Sequence, residues 1–394
     1  MPQEKTIVVG FTESKTGSLN VPSTRHAKGV LLWADRVNAE GGIPLSDGTR
    51  VKVKVVSYDD ESSKERVQQL YTKLVTEDGA DFLLAPYSSG LTAAAAVIAE
   101  QYGKVMVTGG AGDDETHRQG YTHVFQVLTP ASRYLTGAVD LLHTVDATVK
   151  KVAIVYENDR FSTASAEGVR KHAEELGYDV TMYESYDSTT ADFGPFINKI
   201  QSSGAEAVLG GGHFQDGTTF ARQLYEKKVP LKFIALLVAP PEPDFAKLGD
   251  AAYGIVGPSQ WEPQVTYSPE AAKAAGHEWY GPSNDEFVKD YEEKYKEEPS
   301  YHSAGGFAAG LVLEKAIRDA GSLDTDKVIA ALEKMNLMTF FGVTRFDTSP
   351  QSYGLQIGHE MVQIQWQKDG QGNLRKEIVW PKEAATAEVI YPIR

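Results

Sequence analysis

The stretch 82–112 constrains the chain more than any other. Phe82, Leu83, Leu84 and Ala85 form a short apolar run, followed by the turn Pro86-Tyr87-Ser88-Ser89-Gly90 and an alanine-rich helical run at 92–99. A second apolar run, Val105-Met106-Val107-Thr108, then ends in Gly109-Gly110-Ala111-Gly112. Short apolar runs bounded by Gly and Pro are buried strands of a parallel sheet, and the alanine run between them is the crossover helix. Both strands therefore end on one edge, where an open α/β sheet takes small ligands. Ser88, Ser89 and Gly90 stand at the mouth of the helix, where free N–H groups, the positive end of the dipole and two hydroxyls suit a small anion. The glycine turn lets bare peptide groups approach a ligand. An ordinary N-cap and an ordinary turn would use the same residues, and the stretch alone leaves both readings open.

At 394 residues the chain exceeds one compact core, so two domains are expected. A formal net charge of -15 argues against nucleic acid or an anionic membrane surface as partner. With no cysteine there is no disulfide, thiolate zinc site or cysteine nucleophile. The start, Met1-Pro2-Gln3-Glu4-Lys5, lacks the basic and apolar regions of a secretory signal, which predicts either a cytosolic protein or a mature end with Met1 added. No apolar stretch approaches the roughly 20 residues that span a bilayer.

Thr6-Ile7-Val8-Val9-Gly10 reads as a first buried strand, and 24–38 as a helix with Val30, Leu31, Ala34 and Val37 on its core face. Alternation over 51–55 predicts a strand with one exposed face. Asp59, Asp60 and Glu61 are expected to open a helix at 63–75, in a capping role rather than as a metal site. A second series of strands follows at 151–156, 180–184, 207–210 and 233–237, with helices near 131–144, 163–176, 192–203 and 216–227. The alternation predicts a second parallel sheet with helices on both faces. After a polar segment come helices at 285–297, 304–320 and 325–335. Period-two runs at 361–366 and 376–380 look like antiparallel strands.

Gly110-Ala111-Gly112-Asp113-Asp114-Glu115 has acid where a dinucleotide fingerprint needs its third glycine. Pro86 replaces the first glycine of a nucleophile elbow. His277-Glu278 and His359-Glu360 lack the second histidine of a zinc-protease helix, and the nine histidines show no ligand spacing. No cofactor, metal or catalytic residue is nominated. A hydrolase using Ser89 would need a nearby base that the sequence does not display, and a sensor would need an effector segment.

The chain resembles the type I periplasmic solute-binding proteins of the branched-chain amino acid ABC transporter family. Matching segments run in order over nearly its whole length: Thr16-Gly17, Val37-Asn38-Ala39-Glu40-Gly41-Gly42-Ile43, Tyr58-Asp59-Asp60, Leu74-Val75, Ser88-Ser89, Gly120-Tyr121, Val152-Ala153-Ile154-Val155, Asp192-Phe193 and Gly211-Gly212. The resemblance implies an α/β fold of two doubly wound parallel-sheet lobes joined by a three-strand hinge. Residues 1–128 and 262–357 would form the N-terminal lobe, 129–261 and 358–394 the C-terminal lobe, with the ligand cleft between them. It further implies a monomer without cofactor, periplasmic or extracellular, free or membrane-anchored in its precursor, that delivers a ligand to an ABC permease.

By the same resemblance, Ser89 aligns with the family's carboxylate-binding serine and Gly110 with its first backbone contact. Phe161 and His213 align with lobe-two aromatics. Gly112 replaces a threonine that holds both ends of an amino acid, Leu237 the acid that pairs with the α-amino group, and Pro22 a tyrosine. The expected ligand-binding set is Ser88, Ser89, Gly110, Gly112, Tyr87, Phe161, His213, Leu237 and Trp261, with Asp113, Asp114 or Glu13 as other acids for an amine. The expected ligand is a carboxylate without a required ammonium group, a branched 2-oxo acid or an aromatic acid, with amino acids as the alternative.

Overall fold

The computed structural model describes residues 4–393; residues 1–3, on which the reading of the N-terminus bears, and Arg394 lie outside them. In chain order the elements begin with β1 (Glu4–Glu13), α1 (Asn20–Ala39), β2 (Ile43–Pro44), β3 (Arg50–Asp59), α2 (Lys64–Thr76), β4 (Phe82–Leu84), α3 (Ser89–Gln101), β5 (Met106–Thr108) and β6 (Val124–Gln126). There follow α4 (Thr136–Val145), β7 (Lys151–Glu157), α5 (Arg160–Glu175), β8 (Asp179–Tyr186), α6 (Gly194–Ser203), β9 (Ala207–Gly211), α7 (Phe214–Glu226), β10 (Phe233–Leu236) and β11 (Val256–Ser259). The chain ends with α8 (Pro269–Ala275), β12 (Glu278–Trp279), α9 (Asn284–Tyr295), α10 (Tyr301–Ala320), α11 (Thr325–Glu333), β13 (Leu337–Thr339), β14 (Gly342–Thr344), β15 (Val362–Lys368) and β16 (Leu374–Trp380).

These elements form two compact units, one of Met1–Pro130 with Val265–Glu360 and the other of Ala131–Gln264 with Met361–Arg394. The first unit carries a sheet of order β2-β3-β1-β4-β5-β6, parallel except at β2. Ala95, Ala96 and Ala99 of α3 bring that helix close to the sheet, where Leu83 and Met106 share a core with Val67, Tyr71 and Leu74 of α2. Tighter still is the seat of α10. A β-carbon on Gly29 of α1 would lie 1.9 Å from the Ser303 carbonyl oxygen, and one on Gly109 would lie 2.0 Å from that of Gly305. Glycine at these points lets backbone meet backbone. Ser300 caps α10 and Gly321, at φ 57°, ends it. A small third sheet, β12-β13-β14, was not expected from the sequence.

The second unit has the order β16-β15-β11-β10-β9-β7-β8, with β7 to β11 mutually parallel and β15 and β16 antiparallel. The period-two tail thus joins this sheet beside β11. Its core includes Leu135 at the cap of α4, Val139 and Leu142 of α4, Ile154 of β7, Leu209 of β9, Phe233 of β10 and Val169 of α5.

The acidic run before α2 does not open that helix, contrary to expectation. Ser63 is the cap, its Oγ accepting from Arg66 N at 3.3 Å. Asp60 is instead buried and accepts from Thr12 Oγ1 at 2.8 Å and Ser14 Oγ at 2.6 Å, tying the ends of β1 and β3 together. The left-handed Glu61 and Ser62, at φ 56° and 59°, turn the chain between them and the cap.

Candidate functional site

In each main sheet the strand order reverses once, between β1 and β4 in the first unit and between β7 and β9 in the second. Adjacent connections leave in opposite directions there and open a crevice beyond the strand ends, the usual ligand position in such sheets.

In the first unit the crevice is built from the turns after β4 and β5. Ser88 caps α3, its Oγ accepting from Leu91 N at 3.3 Å, and holds a φ of 85° that non-glycine residues rarely adopt. Such strain costs on the order of 1–3 kcal/mol and collects at functional positions. No acidic residue lies in the first turn of α3 to meet its dipole. The N–H groups of Ser89 and Gly90 are beyond the reach of any intrahelical carbonyl. The two turns are bound together, Ser88 N donating to Gly110 O at 3.1 Å and Gly112 N to Ser89 Oγ at 3.3 Å. An oxygen that accepts in this way keeps its own proton to give. Tyr87 is buried, with its ring edge-on to His302 at 5.0 Å.

The second unit is different in kind. Glu157 ends β7, Asp159 caps α5 and His213 caps α7, all at the reversal between β7 and β9. His213 Nε2 donates to Asp159 Oδ2 at 2.6 Å, His213 N donates to Asp216 Oδ1 at 2.8 Å, and Tyr186 gives its hydroxyl to Asp216 Oδ2 at 2.5 Å. Burial pulls the His213 imidazole down, but the charge and hydrogen bond of Asp159, with Glu157 and Asp216 behind, outweigh it and raise its pKa to about 9. Burial lifts Glu157 to about 7 against the opposing pull of His213. It also raises Asp216, whereas for Asp159 burial is outweighed by the His213 charge together with hydrogen bonds from His213 and Ser162, which hold the carboxyl below its usual range. Phe161 lies beside this cluster, tilted against His213 at 5.9 Å and edge-on to Tyr134 at 4.8 Å. Glu157, Asp159 and His213 each offer a ligand atom within 4.8 Å of the others, the spacing of a metal set. The His213 Nε2 proton, however, is already given to Asp159.

The structure brings Ser88, Ser89, Gly110 and Gly112 together with Tyr87 in the first unit, and Phe161 with His213 in the second. Leu237 is not on that edge as a wall residue. Its side chain is part of the core of the second unit and its N–H extends the ladder to Gly210 O at 2.7 Å. Trp261 is wholly buried. Asp113 caps the short turn after it, accepting from Glu115 N and Thr116 N, and Glu13 pairs with Lys15 at 3.3 Å. Glu157, Asp159 and Asp216 were missed. For the first two a partial signal lay in Glu157-Asn158-Asp159 at the end of a parallel strand. A depression of about 410 Å³ lined by Lys315, Lys327 and Lys334 lies on α10 and α11, but Lys315 is already held there by Asp319 and Glu278.

A sequence profile described as periplasmic binding protein matches residues 6–371. The chain is 24% identical over 404 residues to a Leu/Ile/Val-binding protein homolog of Brucella suis, covering 99% of this chain and 95% of that protein. The structure superposes on a leucine-binding protein from Thermotoga maritima with a TM-score of 0.79 at 19% identity, over 96% of this chain and 99% of that one. A solute-binding protein of an ABC transporter from R. palustris, in complex with 4-hydroxybenzoate, also gives 0.79 at 19% identity, over 95% and 96%.

Proposed function

The chain belongs to the periplasmic binding protein family, and from that premise we propose that it captures a small organic carboxylate for an ABC importer, holding the carboxylate at the N-terminus of α3. It is a solute-binding protein of ABC transporters and not an enzyme, and its family works outside the cytoplasm. The observation that carries the ligand reading is the α3 mouth. Ser88 is strained, Ser89 has a hydroxyl proton to donate, and neither acid nor base occupies the first turn. Carboxylate there exchanges water for charge-assisted hydrogen bonds. Ser88, Ser89, Gly110 and Gly112 take the anion, with the Tyr87 ring beside them in the first unit and Phe161 with His213 as the ring surface of the second, while the wholly buried Trp261 serves the core. A branched 2-oxo acid or an aromatic acid fits this set, and the R. palustris protein holds such an acid. The chain acts as a monomer and hands the ligand to a membrane permease.

A second reading, an amino acid with its ammonium relocated, is favoured by the acid-rich edge of the second unit. It is supported by the leucine-binding relative. Calorimetric titration with leucine, its 2-oxo analogue and 4-hydroxybenzoate separates the two. Tighter binding of an acid without the ammonium, recovered chemically unaltered and with compaction in small-angle scattering, supports the first; preference for leucine overturns it. Ser89→Ala should then weaken the acid roughly tenfold to over a hundredfold, the worth of about 1.5–3 kcal/mol for a hydrogen bond to a charged group. A fall in melting temperature with affinity unchanged would reduce Ser89 to a packing role.

A further inference from the structure

His26 lies on α1, and its ring packs against the glycine turn of the first unit. A β-carbon on Gly110 would sit 3.1 Å from His26 Cδ2 and 3.2 Å from Nε2. The side chain is 1% exposed, and Nε2 is enclosed without a hydrogen-bond partner. Buried nitrogens are nearly always satisfied, and one left open is explained by a water, an ion or a ligand. A histidine kept only for packing would do better as leucine or phenylalanine, which leave no polar atom unpaired. Thr108 Oγ1, two residues before Gly110, is a second enclosed oxygen without a partner in the same segment. Burial, reinforced by the charge of His302, brings the His26 pKa down to about 3, so the ring is neutral and has one N–H to place on either nitrogen.

We infer that His26 is a specificity-determining residue whose Nε2–H donates to the second carboxylate oxygen of the ligand beside Gly110, the first oxygen being held by Ser89. This rests on the carboxylate reading of the α3 mouth. It adds a neutral side-chain donor to a site otherwise made of backbone and hydroxyl groups. The arrangement selects a planar carboxylate with both oxygens accepting and disfavours an amide, which would present a donor to one of the two.

The test pairs His26→Leu with His26→Gln, whose amide can place an N–H close to the Nε2 position. Calorimetry with the 2-oxo analogue of leucine, 4-hydroxybenzoate and their amides is run on both variants and on Ser89→Ala. His26→Leu should weaken the bound acid about tenfold or more and shrink the acid-over-amide preference, with the ligand-free melting temperature unchanged or higher. His26→Gln should recover most of the loss. If Ser89→Ala weakens the acid and His26→Leu does not, the inference fails while the functional reading stands. If no acid of the panel binds the unaltered protein, both fall.

Discussion

His26 and His213 are both buried beside the strand-end edge of a parallel sheet, yet burial leaves one neutral and the other charged. Burial strips His26 of water against the Gly110 turn, the charge of His302 adds to the loss, and its pKa falls to about 3. His213 loses as much water, but Asp159, Glu157 and Asp216 surround it and carry it to about 9. Neighbours, not burial, decide the sign. The first unit therefore has neutral donors at its strand-end edge, and the second has three carboxyl groups around one imidazolium.

Removing one member of that network should give the largest effect. Asp159→Ala leaves the His213 imidazolium with only the two carboxyls that burial disfavours, and should cost about 3 kcal/mol. His26→Leu, in the other unit, should cost nothing. Urea unfolding of the two variants measures this directly, and a loss under about 1 kcal/mol for Asp159→Ala would mean the pair is screened by solvent.

The pH dependence sharpens the contrast at intermediate size. The unfolded chain takes up a proton near 6.5 that folded His26 refuses down to about 3, so this part of stability is lost as pH falls through that window. His213 works the other way. Its contribution is complete below about 6.5 and is lost as pH rises toward 9. Glu157, raised from 4.5 to about 7, also loses stability with rising pH and so opposes His26 between 4.5 and 6.5. Stability against pH should then lose its alkaline limb in Asp159→Ala and flatten on the acid side in His26→Leu. Identical profiles for the two variants would show that the histidines do not titrate as their surroundings require.

The smallest expected effect lies at the strained cap. Ser88→Gly removes the cost of φ 85° but forfeits a cap that glycine replaces with a loss of only a few tenths of a kcal/mol, so unfolding should shift by less than about 1 kcal/mol, toward stability. Ser88→Ala loses the cap and keeps the strain. Should the glycine variant be the less stable of the two, the strain reading is wrong.

How much of this the sequence disclosed follows from what each feature depends on. β4, α3 and β5 were readable because apolar runs, alanines and glycines are adjacent in the chain, and the serines at the α3 mouth came with them. β2 and β12, at two residues each, are too short to show a period. His213 was named through the resemblance, but its partners Glu157, Asp159 and Asp216 escaped because they come from the end of β7 and the starts of α5 and α7, and only folding makes them its neighbours. Asp60 was misjudged because an acid before a helix usually caps it, whereas here two hydroxyls from β1 and its following turn claim both oxygens.

The backbone contact between α1 and α10 carries a consequence for how such a protein drifts through sequence space. On the proposed reading, loss of Ser89 or His26 would change what is bound and leave a folded chain that selection can retune to another solute. At Gly29 or Gly109 even a methyl group would have to enter space held by a carbonyl oxygen. A saturation library scored for folding should therefore be depleted most severely at these silent glycines, and a library scored for ligand choice should draw its diversity from the strand ends they brace.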